Sequence, residues 1–271
     1  MDEQKLLSAC ELVNEGKYTE AYDEFIQLAE NTPDPLEKAW PLLYAANTLQ
    51  ALGQEEAATA QLSAARTLIE KHRPSSPAKD EKFAAAELFL DFEDANFLWL
   101  RGGNHEAALN KFDAALKKHT LTLKNPGSRG LYEAIQIRRA FILADLGRWK
   151  EALPILEGIT SPQEYEEGIA CYLGHCYVEA GDYDRAKEKL TEAIRLGLPN
   201  HLEYRAHFEL GVAYYHLENY RKAKEEFEKG ADKADPSYIK ESQIWKWLEV
   251  TCRALGLKGE AEHYAHMTTP S

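Results

Sequence analysis

Apolar and small residues recur along this chain at helical spacing. Leu173, Gly174 and Tyr177 stand at i, i+1 and i+4, and Ala186, Leu190 and Ala193 at i, i+4 and i+7. Each set therefore lines one face of a helix. Gly181 falls between the two sets and predicts the end of the first helix, with Asp182 placed to cap the second. Gly174 and Ala186 lie where the two helices would cross, and Tyr177 and Leu190 would fill the space around that crossing. The unit is an antiparallel helical hairpin. It is written again 37 residues on, as Leu210, Gly211, Tyr214, Ala223 and Phe227, with Glu218 in place of the turn glycine and Gly230 in place of the last alanine. A fixed period of this length signals a stacked repeat.

The same pattern extends in both directions. Ala21, Ala58, Ala108, Ala152, Ala186, Ala223 and Ala261 occupy equivalent places, at separations of 37, 50, 44, 34, 37 and 38 residues. The two large separations coincide with loops around Pro74-Ser75-Ser76-Pro77 and Asn125-Pro126-Gly127-Ser128. Seven repeats follow, at about 3–34, 39–73, 88–120, 132–161, 166–199, 203–236 and 241–268, in a single domain spanning 1–271. Pro35 suits the start of a helix. The first helix of the third repeat should run from about Ala78 to Arg101, ending at a Gly102-Gly103 turn. In the fourth, Ala152, Leu156 and Ile159 mark a second helix that contains Pro154 near its start. The last helix should span about Lys258 to Met267 and fray beyond.

Leu173-Gly174, Tyr177, Gly181, Ala186, Leu190, Ala193 and Pro199, followed in register by Leu210-Gly211, Tyr214, Ala223, Phe227 and Pro236, resemble the tetratricopeptide repeat family. That family is built from helix-turn-helix units of about 34 residues. The resemblance covers nearly the whole chain. It implies an all-α fold, a right-handed superhelix (α-solenoid) of about seven such repeats. It also implies a concave groove, lined by the first helix of each repeat, that holds an extended peptide or a helix of a partner protein. The family's groove register falls on Leu6, Cys10 and Val13, then Leu43, Asn47 and Gln50, then Glu93, Phe97 and Leu100. It continues with Ile137, Phe141 and Ala144, with Cys171, His175 and Val178, with Phe208, Val212 and Tyr215, and with Lys246, Val250 and Arg253. The expected partner-binding residues are Asn47, Phe97, Phe141, His175, Phe208, Tyr215 and Lys246. Members that grip chaperone tails carry Lys and Asn where Leu6 and Cys10 stand, which speaks against that ligand.

Composition narrows the function further. The chain carries 32 Lys and Arg against 45 Asp and Glu, a formal charge of -13. This balance disfavours binding to nucleic acid, which needs cations set against phosphates. No apolar run is long enough to span a membrane. Leu7-Ser8-Ala9-Cys10 mimics a lipoprotein cleavage box, but nothing hydrophobic precedes it. Four cysteines in 271 residues make no disulfide framework. The expected location is the cytoplasm.

Candidate chemistry is sparse. Cys171, His175 and Glu179 share one helical face at i, i+4 and i+8, where three metal ligands could converge, but the repeat register accounts for them as groove residues. His263 and His266 suit the end of the last helix. The pairs Glu55-Glu56, Glu166-Glu167 and Glu225-Glu226 read as solvated faces. No cofactor, metal or catalytic residue is expected, and the protein reads as a non-enzymatic protein-interaction module. A self-associating homo-oligomeric scaffold is the alternative, and an enzyme on a helical-repeat frame the third reading.

Overall fold

A computed structural model of the protein describes residues 1–75, 77, 80–100, 104–120, 129–159, 165–233 and 243–268. Among these residues every regular element is a helix. The fourteen are α1 Glu3–Asn14, α2 Tyr18–Asn31, α3 Pro35–Ala51, α4 Glu55–Lys71, α5 Glu81–Leu100, α6 His105–Lys118 and α7 Arg129–Asp145. They continue with α8 Trp149–Glu157, α9 Glu166–Ala180, α10 Tyr183–Leu196, α11 Asn200–His216, α12 Tyr220–Lys233, α13 Ile244–Ala254 and α14 Lys258–Thr268. The all-α repeat fold expected from the sequence is the fold observed. Ser76, Ala78, the Arg101–Gly103 turn, the loop at 125–128, Pro236 and the tail past Thr268 lie outside the described residues.

The turns show why the sequence folds this way locally. Gly16, Gly53, Gly147, Gly181 and Gly256 end first helices, with φ between +71° and +76°. At Gly181 the amides of Gly181 and Asp182 bond back to the carbonyls of Val178 and Tyr177, which closes the helix end. Glu218 takes the same place and the same bonds with φ +60°, a region that costs a residue with a Cβ about 1–2 kcal/mol. Glu218→Gly should therefore raise stability by up to about 1 kcal/mol, the remainder being offset by glycine's greater unfolded-state entropy. A lower melting temperature for this variant would contradict the reading. The second helices begin at side-chain caps where the sequence offers them. Asp182 accepts from the Arg185 amide, Asn104 from Ala107 and Asn219 from Lys222.

Prolines account for two local features. Pro35 stands at the start of α3 with Asp34 capping the Leu36 and Glu37 amides. Pro41 lies inside α3, which runs on through it. The second helix of the fourth hairpin is shorter than expected. Helix α8 stops at Glu157, capped by Gly158, and leaves Ile159 half-buried beyond it. Pro154 has no N–H to give the carbonyl of Lys150, so the first turns of this nine-residue helix lack one backbone bond.

The chain divides into two compact units, Met1–Ile142 and Leu143–Ser271. In the first, hairpins α1/α2, α3/α4 and α5/α6 stack, each second helix packing on the first helix of the next hairpin. An aromatic ladder runs through it. Phe25 stacks on Tyr44 at 5.4 Å, Tyr44 meets Phe89 at 5.0 Å, and Phe92 meets Phe112 at 5.9 Å. In the second unit, α9/α10, α11/α12 and α13/α14 stack in the same manner around Phe227, Ile244 and Leu248. In both units the first helices of successive hairpins pack on one another more closely than the second helices do. The first-helix layer is therefore the inner face of each unit.

Candidate functional site

Unit 1 contributes Asn47, Phe97 and Phe141 of the expected binding residues. Asn47 is half-buried on α3, and its Nδ2 donates to both oxygens of Glu93 on α5, at 3.2 and 3.4 Å. Phe97 and Phe141 are 7% and 3% exposed. Phe141 packs on Trp99 at 6.3 Å, and the Arg138 guanidinium lies 5.1 Å from the same indole. These two rings therefore build the wall of the inner face and present little surface to a ligand. Glu93 is buried, and its burial outweighs the bond from Asn47 and the charge of Arg138, so its carboxyl is pushed up to about 7.

Unit 2 contributes His175, Phe208, Tyr215 and Lys246. Phe208 lies between Tyr204 at 6.3 Å and Phe227 at 5.9 Å. Tyr215 is half-buried and stands edge-on to Trp247 at 5.2 Å and Tyr220 at 5.3 Å. Lys246 is exposed on α13. His175 belongs to a charged network that single-helix reasoning did not find. Its Nδ1 lies 2.6 Å from Glu209 Oε1 on α11. An ionised carboxylate can only accept, so Nδ1 carries the proton. Arg205 donates from Nε to Glu209 at 3.1 Å and from Nη1 to Asp145 at 2.7 Å, and Tyr172 donates to Asp145 at 3.1 Å. The Arg205 guanidinium also covers the Tyr172 ring at 4.9 Å. Burial, the largest influence on Glu209, pushes its carboxyl up, but Arg205 and His175 together carry it below the usual range. Arg205 rises above its usual value because Glu209 and Asp145 outweigh its burial.

The only sequence signal for this network is the i, i+4 spacing of Arg205 and Glu209 on a helix that is otherwise apolar inward. Their partners lie 34 and 60 residues away. The alternative metal set does not converge. Cys171 is fully buried with its thiol pushed up to about 12 by burial, His175 is held by Glu209, and Glu179 is exposed. Among the described residues no group of three or more His, Cys, Asp and Glu could hold a metal ion. Nor is any helix among them long and apolar enough to cross a membrane.

Comparison with known proteins bears on the family. A family model described as the tetratricopeptide repeat matches residues 173–239, which span the two most regular repeats. No curated protein matches the sequence. The apo form of RapI superposes with a TM-score of 0.59 at 13% identity, over 98% of this chain and 75% of that one. The apo form of the quorum sensor NprR from B. thuringiensis does so with a TM-score of 0.51 at 14% identity, over 98% and 85%. The P58(IPK) TPR domain matches 94% of this chain at 19% identity and a TM-score of 0.45, and the chain spans 66% of its length. At these identities the likeness concerns the fold alone. Residues 173–239 thus match the tetratricopeptide repeat family, and the left-handed turn within their first hairpin and the hairpins stacked on either side show the helical-repeat fold of such proteins.

Proposed function

We propose that this protein is a protein-interaction module whose inner faces take a peptide or helical segment of a partner protein. Tetratricopeptide repeat proteins are generally non-enzymatic scaffolds, and the chemistry of this chain supports the same reading. The cysteines Cys171 and Cys176 are buried as thiols, and Arg205, Glu209 and Asp145 are spent on one another. The observation that carries the proposal is the state of Tyr215. Its ring is half-buried and held from two sides by Trp247 and Tyr220. A preorganised aromatic side chain with some surface still free loses little entropy when a partner covers it, and such residues dominate interface energies. His175 and Phe208 offer further partly exposed surface in the same unit, and the exposed Lys246 adds a cation. Asn47 would serve in unit 1, with Phe97 and Phe141 shaping the surface behind it.

The partner can be isolated from the native host by affinity capture and identified by mass spectrometry, then titrated against variants. Tyr215→Ala should weaken its binding at least tenfold, the scale of one interface anchor of about 1.4 kcal/mol or more. Lys246→Ala should have a smaller, salt-dependent effect. Phe141→Ala should act on stability more than on affinity, because its ring is buried. Unchanged affinity in Tyr215→Ala, His175→Ala and Phe208→Ala would exclude the inner face of unit 2 as the binding surface.

A further inference from the structure

The inner face of unit 1 holds a buried polar cluster in which two acceptor oxygens receive no hydrogen bond among the described residues. Glu93 is 3% exposed on α5, and Asn47 of α3 donates to both of its oxygens. Asn96, one turn further along α5 and 1% exposed, bonds to the same carboxyl. A carboxylate can only accept, so Asn96 turns its N–H inward, and this fixes the orientation of its amide. Its Oδ1 is then buried without a hydrogen-bond partner among the described residues, and so is Oε1 of Gln50, one turn beyond Asn47 on α3. Trp40 and Tyr44 meet Phe89, and Asn47 meets Glu93, so α3 and α5 advance side by side. Gln50 thus comes level with Asn96. The charged groups facing Glu93 are Arg138 from α7 and Asp94 from α5 itself. Asp94 is paired with Arg66 of α4 and Lys111 of α6.

We propose that Glu93 is a proton-operated latch between α3 and α5. Protonated, it supplies an O–H to one of the orphaned oxygens and locks the two helices together. Ionised, it only accepts, and the contact between α3 and α5 becomes the weak point of this inner face. Burial places the carboxyl's proton affinity at about 7, in the range where the latch would work. The sign follows from linkage. The folded cluster holds its proton up to about pH 7, whereas an exposed glutamate releases it near 4.5. Between those values the closed contact binds a proton that the opened state does not, so it weakens as pH rises and levels off above about 7. Because Asn47 is the expected contact residue on this face, the latch would regulate partner access there, a consequence that rests on the binding reading above. The latch itself does not depend on that reading.

Amide hydrogen exchange on the protein alone tests it. After correction for intrinsic exchange, protection of α3 and α5 should fall about tenfold per pH unit between pH 5 and 7. Glu93→Gln, which is uncharged and carries a permanent donor, should abolish that slope and keep the contact closed at pH 7. A flat wild-type profile, or the same slope in Glu93→Gln, overturns the proposal. Should the variant not fold, carbon NMR of labelled glutamate carboxyls in the wild type decides. One carboxyl titrating near 7 is expected, and none above pH 6 refutes the latch. Neither readout involves a partner, so failure here leaves the binding proposal standing, and failure of Tyr215→Ala leaves the latch standing.

Discussion

Phe227→Ala is expected to cost about 3–5 kcal/mol of stability, the range for removing a buried phenylalanine. The ring has no exposed surface and lies 5.9 Å from Phe208 and 5.8 Å from Trp247. It fills the space that Gly211 leaves on the facing helix. A Cβ on Gly211 would fall 2.6 Å from two ring carbons of Phe227, closer than packed atoms tolerate. The same arrangement recurs one repeat earlier, where a Cβ on Gly174 would fall 2.4 Å from Leu190 Cγ. In an exposed helix, glycine to alanine would gain about 1 kcal/mol. Here Gly211→Ala should lose stability, because overpacking outweighs propensity. The pair should also be non-additive. Gly211→Ala combined with Phe227→Leu should be less damaging than the sum of the single changes, since the smaller side chain makes room for the new methyl. Chemical unfolding of the four proteins measures this, and simple additivity would show that the two positions do not share a packing site.

Arg205→Ala should cost a comparable amount, about 3–5 kcal/mol, through a different mechanism. The guanidinium is the strongest influence holding Glu209 ionised, and Glu209 is 6% exposed with a second oxygen that has no hydrogen-bond partner among the described residues. Removing Arg205 leaves a buried carboxylate with His175 alone, and leaves Asp145 with only the Tyr172 hydroxyl from this network. The double variant Arg205→Met with Glu209→Met removes both charges and should recover most of the loss, because a buried ion pair is worth little against apolar residues of similar volume. Urea titrations would separate the outcomes. A loss below about 1 kcal/mol in the single variant would mean that the network behaves as a solvated surface pair.

These two predictions draw on different levels of the molecule. The packing of Phe227 on Gly211 was legible in the order of small and large residues alone, because it is repeated one hairpin earlier as Leu190 on Gly174. The charged network was not legible, since a lone Arg205–Glu209 spacing resembles any surface ion pair. Glu93 stood in the groove register, but nothing in its neighbourhood along the chain marks it as buried beside Asn47. The seven expected contact residues all fall in the groove register of the first helices and yet differ in depth. Phe97 and Phe141 are buried, Tyr215 is half-buried, and Lys246 is exposed.

By itself the amino-acid sequence determined the hairpins, their turns and the face that each helix buries. Those features depend on residues within a few positions of one another: 3.6 residues per helical turn, a left-handed residue at six of the first-helix ends and an Asp or Asn cap at three of the next starts. Only the tertiary structure decided how deep each inner-face residue lies and which charges meet. Helical position sets the direction of a side chain, but its exposure is set by the neighbouring hairpin. The hydrogen-bond partners of His175, Asn47 and Arg205 come from 34, 46 and 60 residues away.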